Sequence, residues 1–228
     1  MSLGPSAFDR LSSGRRTYEN LKDAAADYIR ESVIAGELAP GTKVDQDEIA
    51  EALGISRVPV REALIELAQK DFVVAIPRRG AFVGEVSIED IEDHYEVAAL
   101  VFGVATRRAV RKLTDADIDE LRRVHKQIAS ATDPEVRREL DRRFLAVIAR
   151  AGSTKRLDSI LRFLGGALAG SFYFESPKAT ANETKFRKQL LGAIEARDVK
   201  AAERISEDHL RGCATVAIAL LRSRGYWT

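Results

Sequence analysis

One cysteine, Cys213, among 228 residues leaves no partner for an intrachain disulfide and suits a reducing cytoplasm. No apolar run approaches the roughly 20 residues of a membrane-spanning helix, and the N-terminus lacks the layout of a signal peptide. A cytoplasmic protein with no membrane partner is therefore expected. An excess of either charge is lacking too: 36 Lys and Arg stand against 35 Asp and Glu, a net charge of +1. Composition alone thus gives no sign of a polyanion partner. The first 80 residues are slightly acidic, with 11 basic and 13 acidic side chains, so any nucleic-acid binding must rest on where charges sit. No nucleophile–base–acid set and no phosphate-cradling glycine loop can be found, and the chain is expected not to be an enzyme. Internal repeats and low-complexity segments are also absent.

What is present is helical periodicity over an ordinary 45% hydrophobic content. Leu21, Ala25, Tyr28, Ile29 and Val33 recur at three- and four-residue spacing, predicting a helix from about Thr17 to Ala35 that stops at Gly36. Pro40-Gly41 supplies a turn, and a short strand is expected near Thr42–Val44. Two short helices follow, about Gln46–Leu53 and Arg57–Lys70. Phe72–Ile76 and Ala81–Glu85 read as strands joined by the hairpin Pro77-Arg78-Arg79-Gly80. From Ser87 onward the pattern is all helical. Ser87 caps a helix running to about Lys112, Thr114 with Asp117 starts the next, Asp133-Pro134 opens a third, and about three more complete the chain. The fold class is mainly α: an N-terminal winged helix-turn-helix over 16–85, then an all-α bundle over 87–226.

The stretch Ile49–Ile55 has the spacing of a helix-turn-helix, with small Ala50 where the helices approach and Gly54 free to adopt the left-handed turn. Ser56 is placed to cap the second helix, and Pro59 sits in its first turn. Arg57 and Arg61, four apart, share one face at the end that enters a major groove in this motif. Either could pair with a guanine edge or hold a phosphate. Arg78 and Arg79 lie at the hairpin tip, where a wing meets backbone or minor groove. The expected partner is double-stranded operator DNA.

The run Gly54-Ile55-Ser56-Arg57-Val58-Pro59-Val60-Arg61-Glu62-Ala63-Leu64, with Pro77-Arg78-Arg79-Gly80-Ala81-Phe82-Val83 after it, resembles the GntR family of bacterial transcription regulators. The helical remainder resembles the effector-binding FCD domain of its FadR subfamily. That resemblance implies a homodimer on a pseudo-palindromic operator, most often as a repressor, with ligand binding altering half-site spacing or orientation. It places Ser56, Arg57, Val58 and Arg61 at operator-contacting positions, with Arg79 and Gly80 on the wing beside Arg78 at the hairpin tip. One departure is Asp47, at a position that is basic in some relatives.

Many FCD domains hold a divalent metal on one Asp and three His. In the alignment that the resemblance implies, Asp141 is retained, Leu145 and Arg187 stand where two histidines would be, and His209 is the last ligand. Two of four ligands remain, and an aliphatic side chain cannot ligate, so no metal cofactor is expected. Arg187 either pairs with Asp141, leaving His209 a neutral hydrogen-bonding partner, or points to solvent beside a satisfied core histidine. Ala98 and Phe102 replace an Arg and a Glu common in relatives. Ala98, Phe102, Asp141, Leu145, Arg187 and His209 are thus the expected effector-binding residues. They suit a small, largely apolar acid with its carboxylate on Arg187. The alternative is a filled core and a regulator, or architectural DNA-binding protein, without an effector. His94 and His125 are expected on exposed helix faces, Leu157, Ile160, Leu161, Leu164 and Leu168 in the core, and Cys213 as a buried, inert thiol. Phe172, Tyr173 and Phe174 could be core, dimer contact or pocket wall.

Overall fold

The computed structural model describes residues 18–165 and 177–227. The expectations for Thr17, Leu168 and Phe172–Phe174 lie outside the described residues. The chain forms two compact units, Met1–Val86 together with Leu221–Thr228, and Ser87–Leu220. The second boundary differs from the expected 87–226, because the C-terminal segment belongs to the first unit.

The first unit contains α1 (Tyr18–Ile34), β1 (Lys43–Val44), α2 (Gln46–Leu53), α3 (Arg57–Ala68), β2 (Val73–Ile76) and β3 (Gly80–Val83). The Asp45 carboxylate accepts from the backbone N–H groups of Asp47 (2.8 Å) and Glu48 (3.4 Å), which starts α2. Gly54, at φ 61° and ψ 35°, ends it in the left-handed conformation that only glycine adopts cheaply. The strands form an antiparallel sheet in the order β1-β3-β2, with Lys43 opposite Phe82 and Ile76 opposite Gly80. Ile29, Val33, Val60, Leu67, Phe72 and Val73 fill the core between helices and sheet. Expected and observed elements agree to within a few residues at each end.

Two features brace this unit. Glu66 on α3 receives Lys22 of α1 and Lys70 one turn on, each at 2.8 Å. At the C-terminus the Tyr226 hydroxyl donates to the Gly84 carbonyl (3.3 Å) and the Trp227 indole N–H to the Val86 carbonyl (2.9 Å). Gly84 itself lies flat on Phe72, where a Cβ would come within 2.5 Å of the Asp71 carbonyl oxygen.

The second unit is α4 (Ile88–Lys112), α5 (Asp115–Ser130), α6 (Pro134–Gly152), α7 (Lys155–Gly165), α8 (Pro177–Glu195) and α9, which starts at Val199 and runs to Ser223. Ser87–Asp90 and Thr114–Asp117 form reciprocal capping boxes at the starts of α4 and α5. Arg197, itself at φ 53°, reaches back to donate to the carbonyls of Val110 (3.1 Å) and Leu113 (2.6 Å), satisfying the C-terminus of α4. Gly152 lets α6 close on α4, since a Cβ there would fall 1.9 Å from the Ala105 carbonyl oxygen. Leu121, Phe144, Ile148, Leu190 and Ile194 are buried between these helices. α7 differs from expectation: none of its residues is buried, and Ile160 is 40% exposed. Its apolar stripe is a partly covered wall, not core. No helix of the described residues is long and apolar enough to cross a membrane.

Burial pushes the Glu66 carboxyl up, but its hydrogen bonds and charge pairing with Lys22 and Lys70 outweigh that and hold it at about 2, below the ordinary 4.5. A depressed folded pKa contributes stability that is present above the unfolded value and lost as pH falls through the folded one. Glu66→Gln should therefore cost about 1 kcal/mol at neutral pH, the rest being screened by solvent. In urea unfolding, the variant should lose less stability than wild type between pH 4.5 and 2. Trp227→Ala should lower the stability of the winged unit by about 1–3 kcal/mol, through a lost hydrogen bond and lost packing. Amide exchange in β2 and β3 reads this directly, and unchanged protection there would contradict the bracing role.

Candidate functional site

All seven residues expected to meet DNA are exposed on the first unit. Ser56 occupies the position before α3 with extended backbone, but its side chain makes no capping hydrogen bond, contrary to expectation. Pro59, third in the helix, has no N–H for a cap to accept from, which leaves only the Val58 N–H as a possible partner. The Ser56 hydroxyl is left on the surface. Arg57 and Arg61 project from the first turns of α3, flanking Val58, which is 54% exposed. Arg57 is in a salt bridge with Asp47 of α2, whereas Arg61 makes no ion pair with the described residues.

On the wing, the Arg79 N–H donates to the Ile76 carbonyl (3.0 Å), closing a turn with Pro77 and Arg78 at its centre. Arg78 sits there at φ 63°, a left-handed conformation that costs a non-glycine residue about 1 kcal/mol. The Arg79 guanidinium lies 5.8 Å from the centre of the Phe82 ring. Gly80, at φ 109°, faces Lys43, whose Cε would be 3.2 Å from an added Cβ. Guanidiniums held at a helix start and a hairpin tip suit the grooves and backbone of a duplex.

The second unit encloses a cavity of about 860 Å³. Five of the six expected effector residues line it: Ala98, Phe102, Asp141, Leu145 and His209. Arg187 does not. Only 2% exposed, it forms a buried salt bridge with Asp141, lies 3.8 Å from the Glu183 carboxylate and donates to the Thr184 hydroxyl (3.3 Å). The pairing with Asp141 is as expected, but the guanidinium is consumed by it and cannot anchor a ligand carboxylate. Burial pushes the Asp141 carboxyl up to about 6, with Arg187 pulling it down and Glu183 adding to the rise.

His209 stacks on Phe186, with ring centroids 3.8 Å apart, and its Nε2 lies 3.0 Å from Glu183 Oε1. Burial favours the neutral ring, but contact with Cys213 and the Glu183 carboxylate carries its pKa up to about 10. These contacts favour the imidazolium over the neutral partner expected. The residues do not fit a metal held by one Asp and three His: two positions are Leu145 and Arg187, and one Asp141 oxygen is committed to the guanidinium.

The sequence reading missed Glu183, Cys213 and Tyr95, all on the cavity wall. Glu183 lies four before Arg187 and Cys213 four after His209, so helical spacing alone puts each beside a residue already singled out. It also missed a basic rim of Arg142, Arg150, Lys155 and Arg162; the three arginine side chains are 66–71% exposed. His94 and His125 are half-buried, not exposed, and His94 lines the cavity. Burial, with Arg187 adding to it, pulls the His125 pKa down.

Arg187→Ala leaves the Asp141 carboxylate buried without its partner and should destabilise the bundle by about 3–5 kcal/mol. The double variant Arg187→Met, Asp141→Leu should recover most of that loss. Equal destabilisation of single and double variants in urea titration would show that packing, not charge, sets the cost.

Comparison with known proteins agrees with this architecture. Residues 21–83 match the family model described as "Bacterial regulatory proteins, gntR family", and residues 93–212 match that of the FCD domain. The chain is 26% identical over 181 residues to the uncharacterized HTH-type transcriptional regulator Rv0043c of Mycobacterium tuberculosis, covering 79% of this chain and 74% of the relative. It is 24% identical over 188 residues to the HTH-type transcriptional repressor RspR of Escherichia coli, covering 80% and 82%. Among solved structures, E. coli McbR/YncC superposes with a TM-score of 0.65 at 22% identity, over 89% of this chain and 97% of that one. A GntR family regulator from Pseudomonas syringae superposes with a TM-score of 0.53 at 23% identity, over 97% and 98%. These structures share the fold. With a gntR-type winged unit followed by an FCD domain, the chain belongs to the GntR family of bacterial regulatory proteins and is a DNA-binding transcriptional regulator.

Proposed function

We propose that this regulator represses transcription as a homodimer on a pseudo-palindromic operator, and that a small, largely apolar acid bound in the FCD domain modulates it. The observation carrying the DNA half is the exposed start of α3, where Arg57, Val58 and Arg61 stand clear of the core. The repressor sign is supported by the relative named as one. Val97 and Leu100 on α4, each 48% exposed, offer an apolar surface to a second copy.

The cavity supports the sensing half. Phe102, Leu145, Leu161, Phe186 and Leu210 give it apolar walls, while Arg142, Arg150, Lys155 and Arg162 line the same space. An acyl or aromatic acid would place its body among the former. Its carboxylate would meet the exposed bases, competing there with the Glu139, Asp117 and Asp158 carboxylates that pair with Arg142, Arg150 and Arg162.

Arg57→Ala and Arg61→Ala should each weaken operator binding by about 1–3 kcal/mol in a gel-shift or fluorescence titration at fixed salt. Undiminished binding by the double variant would refute this recognition surface. Asp47→Asn removes the carboxylate that competes with phosphate for Arg57. It should tighten binding to both operator and random DNA and steepen the salt dependence by about one charge. Thermal shift with medium-chain fatty acids and aromatic acids tests the sensor. A stabilising acid should also change operator affinity; if none does either, the protein works without an effector of this class.

A further inference from the structure

We propose that Glu183, His209 and Cys213 form a binding site for a divalent transition metal of the zinc type in the cavity of the second unit. The three donors, one carboxylate oxygen, one imidazole nitrogen and one sulfur, lie within 4.8 Å of one another, and all three residues line the cavity. His209 Nε2 is 3.0 Å from Glu183 Oε1 and 3.7 Å from Cys213 Sγ. A tetrahedral zinc with bonds of about 2.0–2.3 Å has ligand–ligand edges of roughly 3.3–3.6 Å, close to both spacings. This donor set differs from the Asp and His set that the residues here fail to supply. Glu183 and Cys213 replace the lost ligands, and they come from the adjacent turns of α8 and α9.

The surroundings are those of ligands held in place. Phe186 stacks on the His209 ring at an interplanar angle of 7° and fixes its orientation. Glu183 turns Oε2 toward Arg187 at 3.8 Å and leaves Oε1 for His209, so the guanidinium orients the carboxylate from behind. Two more polar atoms on the same cavity are buried without a hydrogen-bond partner: the Tyr95 hydroxyl, on a residue 3% exposed, and Asp141 Oδ2, on a residue 6% exposed. Buried polar atoms left unpaired are costly, and a metal with a water on its open fourth position gives them a donor. Mixed thiolate, imidazole and carboxylate ligation selects zinc over magnesium or calcium. Binding forms M–S, M–N and M–O bonds and releases to solvent the Cys213 thiol proton and the proton on His209 Nε2.

The experiment uses the full-length protein, stripped with chelator and titrated with Co²⁺ and with Zn²⁺. One Co²⁺ per chain should bind with a thiolate-to-metal charge-transfer band in the near ultraviolet, and Zn²⁺ should displace it. Cys213→Ser should abolish the band, and His209→Gln should weaken Co²⁺ binding by more than about tenfold, since even groups one shell out are worth 10–100-fold. Circular dichroism checks that both variants fold, and the wild-type band is diagnostic without any variant. Absence of binding by the wild type overturns the proposal. So does binding without a charge-transfer band that is lost in Asp141→Asn, which would mark a carboxylate–histidine site instead. Acid-dependent changes in operator affinity are read separately, so failure of the sensor reading leaves this outcome interpretable.

Discussion

Charges buried in an apolar bundle survive only in pairs, and that constraint fixes how α6, α8 and α9 meet. Asp141 and Glu183 carry two negative charges, Arg187 and His209 two positive ones, and all four side chains are mostly buried. Transfer of any one of them from water alone would cost several kcal/mol, so each helix must bring its charge to within hydrogen-bonding reach of another. Phe186 and Leu145 then close around the resulting network. The cavity follows from this arrangement: its polar end is internally neutral, which leaves the apolar wall and the basic side chains to decide what else enters.

The winged unit solves a different problem, that of binding a polyanion from a nearly neutral chain. Three of its positive charges are each positioned by something specific. Arg57 is held by Asp47, Arg78 by the turn after Pro77, and Arg79 by its ring contact with Phe82. On the recognition surface proposed above, discrimination between sequences would rest on such placed contacts, since counterion release is blind to sequence.

Much of this was legible in the sequence because it is local. Gly54, Pro59, the capping pairs Ser87–Asp90 and Thr114–Asp117, and the hairpin Pro77–Gly80 between the runs Phe72–Ile76 and Ala81–Glu85 all act within a few residues. Arg57 and Arg61 could be placed by helical spacing alone. What escaped is set by tertiary neighbours. Whether Arg187 faced a ligand or a carboxylate depended on which turn of α6 lay opposite it. The pKa of His209 depended on Cys213, one turn on, and on Glu183 from a different helix. The missing Ser56 cap was readable in part, since Pro59 leaves only the Val58 N–H as a possible partner, but it required following one hydrogen bond at a time.

The clasp of Tyr226 and Trp227 on Gly84 and Val86 bears on the order of synthesis. Chains emerge from the ribosome N-terminus first, and domains commonly fold as they appear. Here the segment Leu221–Trp227 is made only after the whole helical unit, yet it belongs to the winged one. The DNA-binding unit therefore cannot reach its finished form on the ribosome until the helical unit has been translated. A nascent or C-terminally clipped chain would lack the two hydrogen bonds that Tyr226 and Trp227 make to Gly84 and Val86.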